Sequence, residues 1–268
     1  MSAATVDRAA APSPSPPPPQ PGSPRYFALL YAPSAARAAL ATLLALADEI
    51  SAGAGRSLDH SVAHARLDWW RAEAARYACG EPQHPWLRTL LPPPGANERL
   101  DLAPLVDAAA IDLATATFGA AAGAMPHGAA LQGAVFGQLG SVLRAAAGAP
   151  PALPSQQRAL HDLGQRTGEL ERLVGASAPP AAAGAASAAA PAQLAGLVGL
   201  RLQVAAIDST QQPPLAPLLV WVALVANKAR RRSQREAGRK SSALDAFADN
   251  IVAWNAARRA ARGRFRID

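Results

Sequence analysis

Long runs of alanine and leucine, interrupted by glycine and proline, constrain the fold of this chain more than any other feature of its sequence. Alanine and leucine favour helices, and the apolar residues in the runs recur at a spacing near 3.6 residues. Only 5% of the residues are aromatic, which leaves few of the large side chains that fill the faces of a β-sandwich or barrel. The sequence therefore predicts an all-α protein, and 268 residues suffice for one domain or two small ones.

Glycine and proline divide the runs into separate predicted helices. The first begins at Arg25 and is interrupted at Pro33, and the clearest is capped by Ser57 and stopped by Gly80. The other predicted helices cover 84–91, 102–123, 129–147, 155–174, 193–207, 215–235 and 242–262. The predicted organisation is a disordered proline-rich tail (1–23), a helical domain (24–235) with an Ala/Gly/Pro linker loop (176–191), and a basic C-terminal helix (236–268).

The chain shows no sign of a signal peptide or a membrane-spanning segment. Its N-terminus lacks the apolar core of a signal peptide, and the most apolar run, Leu215–Ala226, is shorter than the roughly 20 residues that span a bilayer. The single cysteine, Cys79, excludes a disulfide scaffold. A cytoplasmic location is expected.

Positive charge is concentrated at the C-terminus. The chain carries a formal charge of +7, while the segment from Lys228 to Asp268 alone has 12 basic and four acidic residues. This asymmetry indicates contact with a polyanion, such as an anionic membrane surface, nucleic acid or an acidic partner, although solvated helix ends are an equally simple interpretation. The candidate contact residues are Arg230, Arg231, Arg232, Arg235, Arg258 and Arg259.

Several acidic and histidine pairs are candidates for chemistry. Asp48 and Glu49 close a helix at the end where the dipole disfavours acids, so they are either Mg²⁺ ligands or a surface pair. His60, His64 and Asp68 share a helix face and form a conceivable transition-metal site, although histidines at this spacing are common. Asp162, Glu169 and Glu171 alternate with arginines, which predicts ion pairs within one helix. Asp245 and Asp249 are interpreted as charge balance for the basic C-terminus.

A signature in the second helix and the turn after it is more specific. It consists of Arg66-Leu67, Trp69-Trp70-Arg71, Glu73, Gly80, Pro82 and His84-Pro85, within Ala65–Leu90. With the segments Arg25–Pro33 and Ala45–Ile50, and weaker matches at Pro104–Leu113 and Pro214–Arg232, it resembles the squalene/phytoene synthase family over about residues 25–235. The resemblance implies an isoprenoid-synthase-like helical bundle around a central cavity.

The resemblance is incomplete where that family does its chemistry. Active members use two facing carboxylate clusters to hold Mg²⁺ ions on a prenyl diphosphate. Asp48 and Glu49 match the start of the first cluster, but Ala52 and Gly53 stand at the partner spacing. The second cluster would fall within Leu160–Gly175, where the Asn-x-x-Arg-Asp-x-x-x-Asp run is absent. Loss of one cluster should abolish tight Mg²⁺–diphosphate binding.

Two functions follow from the resemblance. The preferred one is a catalytically degenerate member without a cofactor, which binds a prenyl-type lipid or a protein partner and docks on the inner face of a membrane. The alternative is an active Mg²⁺-dependent head-to-head prenyl transferase, with Asp48 and Glu49 as catalytic residues and metal ligands. Its substrate-binding residues would be Arg25, Tyr26, Arg66, Trp70, Asp112 and Asp162. Nucleic-acid binding through the arginine-rich C-terminus is a minor alternative. Nucleic acid is not the expected partner, because Trp254 and Phe265 are too few to form a stacking platform.

Overall fold

A computed structural model describes residues 15–53, 59–91, 99–118, 128–175, 195–236 and 245–267. These residues form helices, turns and irregular segments but no strand, which confirms the all-α prediction. The helices are α1 (Pro24–Leu30), α2 (Ser34–Gly53), α3 (His60–Cys79), α4 (Pro85–Thr89), α5 (Ala103–Phe118), α6 (Ala129–Ala146), α7 (Pro154–Gly175), α8 (195–205), α9 (Ala216–Glu236) and α10 (Asp245–Ala260).

The helix ends follow the local chemistry of the sequence, with one difference from the prediction. Pro33 lies between α1 and α2, and Gly80 ends α3 with a φ of 88°, a left-handed conformation that glycine adopts at low cost. The cap of α3 is Asp59, whose carboxylate accepts a hydrogen bond from the Ser61 N–H at 2.8 Å. The predicted cap Ser57, the 176–191 linker and the first 14 residues of the tail lie outside the described residues.

Helix α6 lies at the centre of the bundle. It packs against α2, α5, α7 and α9, and α9 in turn packs against α1, α7 and α10. From Leu218 to Ala226, every residue of α9 except Ala223 is at most 1% exposed. The most apolar run of the sequence is therefore a core helix, and no helix among the described residues has the length and apolarity that crossing a membrane requires.

Glycines allow α6 and α7 to approach closely. A Cβ atom on Gly164 of α7 would lie 2.6 Å from the carbonyl oxygen of Gln132, and one on Gly140 of α6 would lie 2.6 Å from Leu160. Such contacts are shorter than side chains tolerate. The later turns of α7 pack against α9, where Trp221 donates to Glu171.

Candidate functional site

The corner between α3 and α4 is built around a buried carboxylate. Glu73 is fully buried, and its Oε1 accepts hydrogen bonds from the backbone N–H groups of Gln83 and His84, both at 2.7 Å. Its Oε2 accepts from Arg76 Nε at 2.7 Å. Burial raises the pKa of Glu73, but these hydrogen bonds lower it by more, so the net pKa lies below the ordinary value. The charge of Glu73 therefore fixes the turn after α3.

His84 connects this corner to the end of α2. Its Nδ1 accepts from the Trp86 N–H at 3.3 Å, which caps α4, and its ring centroid lies 5.2 Å from that of Trp70. On the other side, His84 Nε2 lies 3.3 Å from Glu49 Oε2. The signature residues Trp70, Glu73 and His84 thus meet in one corner, beside the acidic end of α2.

A continuous polar chain runs from Asp48 into the core. Arg25 of α1 donates to Asp48, and its guanidinium carbon lies 5.4 Å from the centre of the Trp221 ring. Trp221 of α9 is fully buried and donates its indole N–H to Glu171 Oε1 at 2.8 Å. We call Arg25, Asp48, Glu171 and Trp221 the inner polar chain. It joins the ends of α2 and α7, the two places where the resemblance puts acidic clusters.

Glu171 differs from its sequence prediction. The neighbouring Glu169 does pair within α7, with Arg166 at 2.9 Å, but Glu171 points toward α9 and accepts from Trp221. Burial raises the pKa of Glu171, and the hydrogen bond from Trp221 and the charges of Arg25 and Lys228 offset only part of this effect. The prediction failed because ion-pair spacing along one helix carries no information about which face meets a neighbouring helix.

The remaining predicted substrate-binding residues lie in different surroundings. Tyr26, Arg66 and Asp162 are on the surface, and the side chain of Arg66 lies 3.7 Å from the position of a Cβ on Gly53. Asp112 is buried, and its two oxygens accept from the N–H groups of Ala130 at 3.3 Å and Leu131 at 3.0 Å. Asp112 therefore caps the start of α6.

The C-terminal arginines fall into two groups. Arg231 pairs with Asp249, in agreement with the charge-balance interpretation of that aspartate, and Arg232 donates to the Val174 carbonyl at 2.5 Å. Arg230 is half-buried. The side chains of the other three predicted anion-contact residues are exposed: Arg235, Arg258 and Arg259.

The acidic and histidine residues do not form a metal centre of the expected kind. His60 and His64 lie 3.0 Å apart at their Nε2 atoms, whereas Asp68 pairs with Arg71 at 2.7 Å. Within the described ranges, no group of three or more His, Cys, Asp or Glu side chains could hold a metal ion. One Mg²⁺ on a diphosphate takes one or two carboxylates besides the phosphate oxygens. The described residues do not form the two facing carboxylate clusters that the resemblance implies, so they do not fit a centre of that kind.

A cleft of about 940 Å³ opens between α6 and the start of α7. Its wall includes Ala134, Gly137 and Val142 of α6, and a Cβ on Gly137 would meet no atom within 4 Å. Ala35 also lines the cleft, 13 residues before Asp48, which corresponds to about 20 Å along α2. The cleft and the inner polar chain therefore lie toward opposite ends of α2.

Sequence reasoning missed Glu171 and Trp221 as partners. A tryptophan in a buried apolar run needs an acceptor for its indole N–H, and this signal was present in the sequence, although it does not identify the acceptor.

Comparisons with protein-family models, with curated proteins and with solved structures give no match for this chain.

Proposed function

We propose that this protein is a catalytically degenerate relative of the squalene/phytoene synthases that binds a prenyl-type lipid and acts as a binding or assembly module at a membrane surface. The residues that carry the resemblance support this proposal, because Trp70, Glu73 and His84 form one connected corner. The corner adjoins Glu49, one of the two acids that match the family's first cluster.

One observation carries the proposal. Three acids lie at the ends of α2 and α7, beside the corner or in the inner polar chain, and each of them contacts another side chain of the protein. Asp48 pairs with Arg25, Glu49 lies 3.3 Å from His84, and Glu171 accepts from Trp221. A metal–diphosphate centre needs carboxylates that are free to face a cation. Here Arg25 offsets the charge of Asp48, while Glu49 and Glu171 contact a histidine ring and an indole N–H.

Gly53, where the resemblance implies the second acid of the first cluster, also supports the absence of a metal centre. Gly53 follows Glu49 by four residues, and the side chain of Arg66 packs beside it. The aliphatic part of Arg66 therefore occupies the space beside this position, where the resemblance implies a carboxylate. The alternative is an active Mg²⁺-dependent prenyl transferase. It is supported by the side chains of Asp48 and Glu49, which are 63% and 46% exposed and so accessible to a ligand.

The cleft between α6 and α7 is the candidate site for the lipid. Its volume of about 940 Å³ is at the upper end of the range of about 300–1,000 Å³ that is usual for small-molecule sites. Alanine, glycine, valine, leucine and proline supply much of its wall, while Arg158 and His161 supply polar groups. Arg99, Asp101 and Arg144 also line the cleft, and one side of it is open to solvent. An apolar chain could lie against the apolar part of its wall.

Binding of farnesyl diphosphate and of farnesol, measured by calorimetry with Mg²⁺ and with EDTA, tests this proposal. We expect both compounds to bind, with dissociation constants that differ by less than about threefold between the two conditions, because no metal site contributes. Gly137→Leu should weaken binding at least tenfold, since the new side chain projects from α6 into the cleft. Gly175→Leu is the matched control, because it also adds a side chain in open space, at the far end of α7.

Three results would contradict the proposal. Binding of farnesyl diphosphate that requires Mg²⁺ would favour the active transferase. Failure of either compound to bind, or equal binding by Gly137→Leu and the unaltered chain, would exclude the cleft as a lipid site.

The membrane part of the proposal is supported by the exposed arginines Arg235, Arg258 and Arg259, and a peripheral position on the inner face of the membrane is proposed with it.

A further inference from the structure

Helix α10 buries its smallest side chains and exposes its largest apolar ones. Phe247, Ile251 and Trp254 are 64%, 47% and 51% exposed and follow one another at i, i+4 and i+7, so they form one stripe. We call this stripe the apolar ridge. The residues that face the core at 4% exposure or less are all alanines: Ala253, Ala256 and Ala260. The ridge therefore contributes little to the protein's own core.

A pocket lined by arginines adjoins the ridge. Arg230 of α9, Arg259 of α10 and Arg266 of the C-terminal segment border about 180 Å³, together with Asn227 and Asn255. Guanidinium groups bind phosphate oxygens in bidentate fashion. Since a water molecule occupies about 30 Å³ in the liquid, the pocket has room for a phosphate group and part of what it is attached to.

The ridge and the arginine pocket belong to one surface. Asn255 and Arg259, which line the pocket, lie four and eight residues after Ile251 of the ridge. This spacing places the pocket beside the ridge along α10. Arg258 continues the ridge, and its guanidinium carbon lies 5.3 Å from the centre of the Trp254 ring. An arginine beside an exposed tryptophan is typical of side chains that sit between lipid chains and headgroups.

We infer that α10 is a membrane-docking helix: the apolar ridge enters the headgroup region of an anionic bilayer, and the arginine pocket holds the phosphate of one phospholipid. Charge supports this occupant, because the segment from Lys228 to Asp268 has eight more basic than acidic residues. A nucleic acid would use the pocket but not the aliphatic Ile251, and an apolar protein groove would use the ridge but not the pocket. The inference rests on the proposed membrane association and is independent of prenyl-lipid binding.

Co-sedimentation of the full chain with vesicles tests the inference. Vesicles of phosphatidylcholine alone are compared with vesicles containing about 30% phosphatidylglycerol, at low and high salt. We expect binding to the anionic vesicles that is at least tenfold tighter than to the neutral ones and weakens several-fold in high salt. Lipids brominated in their acyl chains should quench tryptophan fluorescence, and Trp254→Phe should remove most of that quenching while keeping the binding.

Two variants separate the ridge from the pocket. The triple change Phe247→Ser, Ile251→Ser and Trp254→Ser removes the ridge, and the double change Arg259→Gln and Arg266→Gln empties the pocket of two charges. Each should weaken binding to anionic vesicles at least tenfold. The controls alter exposed apolar residues of α8 and exposed arginines of α7 and α8: Val198→Ser with Leu202→Ser, and Arg172→Gln with Arg201→Gln. The controls should change binding less than twofold.

Three outcomes would overturn the inference. Binding that falls equally in the control variants would mean that charge or apolarity anywhere on the surface suffices. A dimer in solution that the ridge variant abolishes, with vesicle binding unchanged, would assign the ridge to a second copy of the chain. Absence of binding to any vesicle would remove both this inference and the proposed membrane association, and would leave the prenyl-lipid proposal untouched.

Discussion

Gly164 on α7 is the position where a single added carbon should destabilise the bundle most predictably. In Gly164→Ala the new Cβ would lie 2.6 Å from the Gln132 carbonyl oxygen and 2.7 Å from Phe136 Cβ. Ordinary contacts of a Cβ begin near 3.4 Å. Neither neighbouring atom can rotate away, because both are fixed to the backbone of α6, so α7 must move outward by up to about 0.8 Å.

The size of the effect follows from two opposing contributions. Overpacking of a tight core costs about 1–3 kcal/mol, and a contact with two fixed atoms belongs at the upper end. Replacing glycine by alanine inside a helix stabilises that helix by about 1 kcal/mol. The net loss in the free energy of unfolding should be about 2 kcal/mol, which corresponds to a drop in Tm of about 4–8 °C for a protein of this size.

Thermal and urea unfolding followed by circular dichroism measure this loss. The matched control is Gly137→Ala on α6, where the added Cβ meets no atom within 4 Å. That variant should be more stable than the unaltered chain, by up to about 1 kcal/mol. A Gly164→Ala protein as stable as the unaltered one would refute the close crossing of α6 and α7, and with it the position of Glu171.

Three further predictions test the polar residues. Because the pKa of Glu171 is raised in the fold, its stabilising contribution is present below the ordinary value near pH 4.5 and is lost as the pH rises through the raised pKa. In urea titrations from pH 4.5 to 8, the free energy of unfolding of Glu171→Gln minus that of the unaltered chain should therefore increase with pH. Asp112→Ala should cost about 1–2 kcal/mol through loss of the cap on α6, whereas the exposed control Asp162→Ala should stay within about 0.5 kcal/mol in the same titration. Glu73→Ala should cost about 3 kcal/mol by chemical denaturation, because it leaves Arg76 and two backbone N–H groups without their acceptor, and an equally stable variant would contradict the corner.

Local features of the structure were predictable from the sequence. Pro33 and Gly80 mark helix ends because one lacks an N–H donor and the other adopts a positive φ without strain. The spacing of the apolar residues located the helices, and the signature from Trp70 to His84 located a corner that the structure shows as a set of hydrogen bonds.

Features that depend on how helices face one another were not predictable. The pair between Arg25 and Asp48 joins residues 23 positions apart, and the bond between Trp221 and Glu171 joins residues 50 apart. Neither follows from spacing within a helix, because only the packing of α1, α2, α7 and α9 brings these residues together. The exposed ridge of α10 was likewise hidden in the sequence, since alanine and phenylalanine both suit a buried face.

Diphosphate release is the most direct test of the central proposal that the acidic ends of α2 and α7 do not form a working metal centre. The purified 268-residue chain is incubated with farnesyl or geranylgeranyl diphosphate and Mg²⁺, and the released diphosphate is measured against a blank without protein. We expect release no greater than in the blank, for the unaltered chain and for Asp48→Asn alike. Release above the blank that disappears in Asp48→Asn would contradict the account and establish Asp48 as part of a working catalytic site.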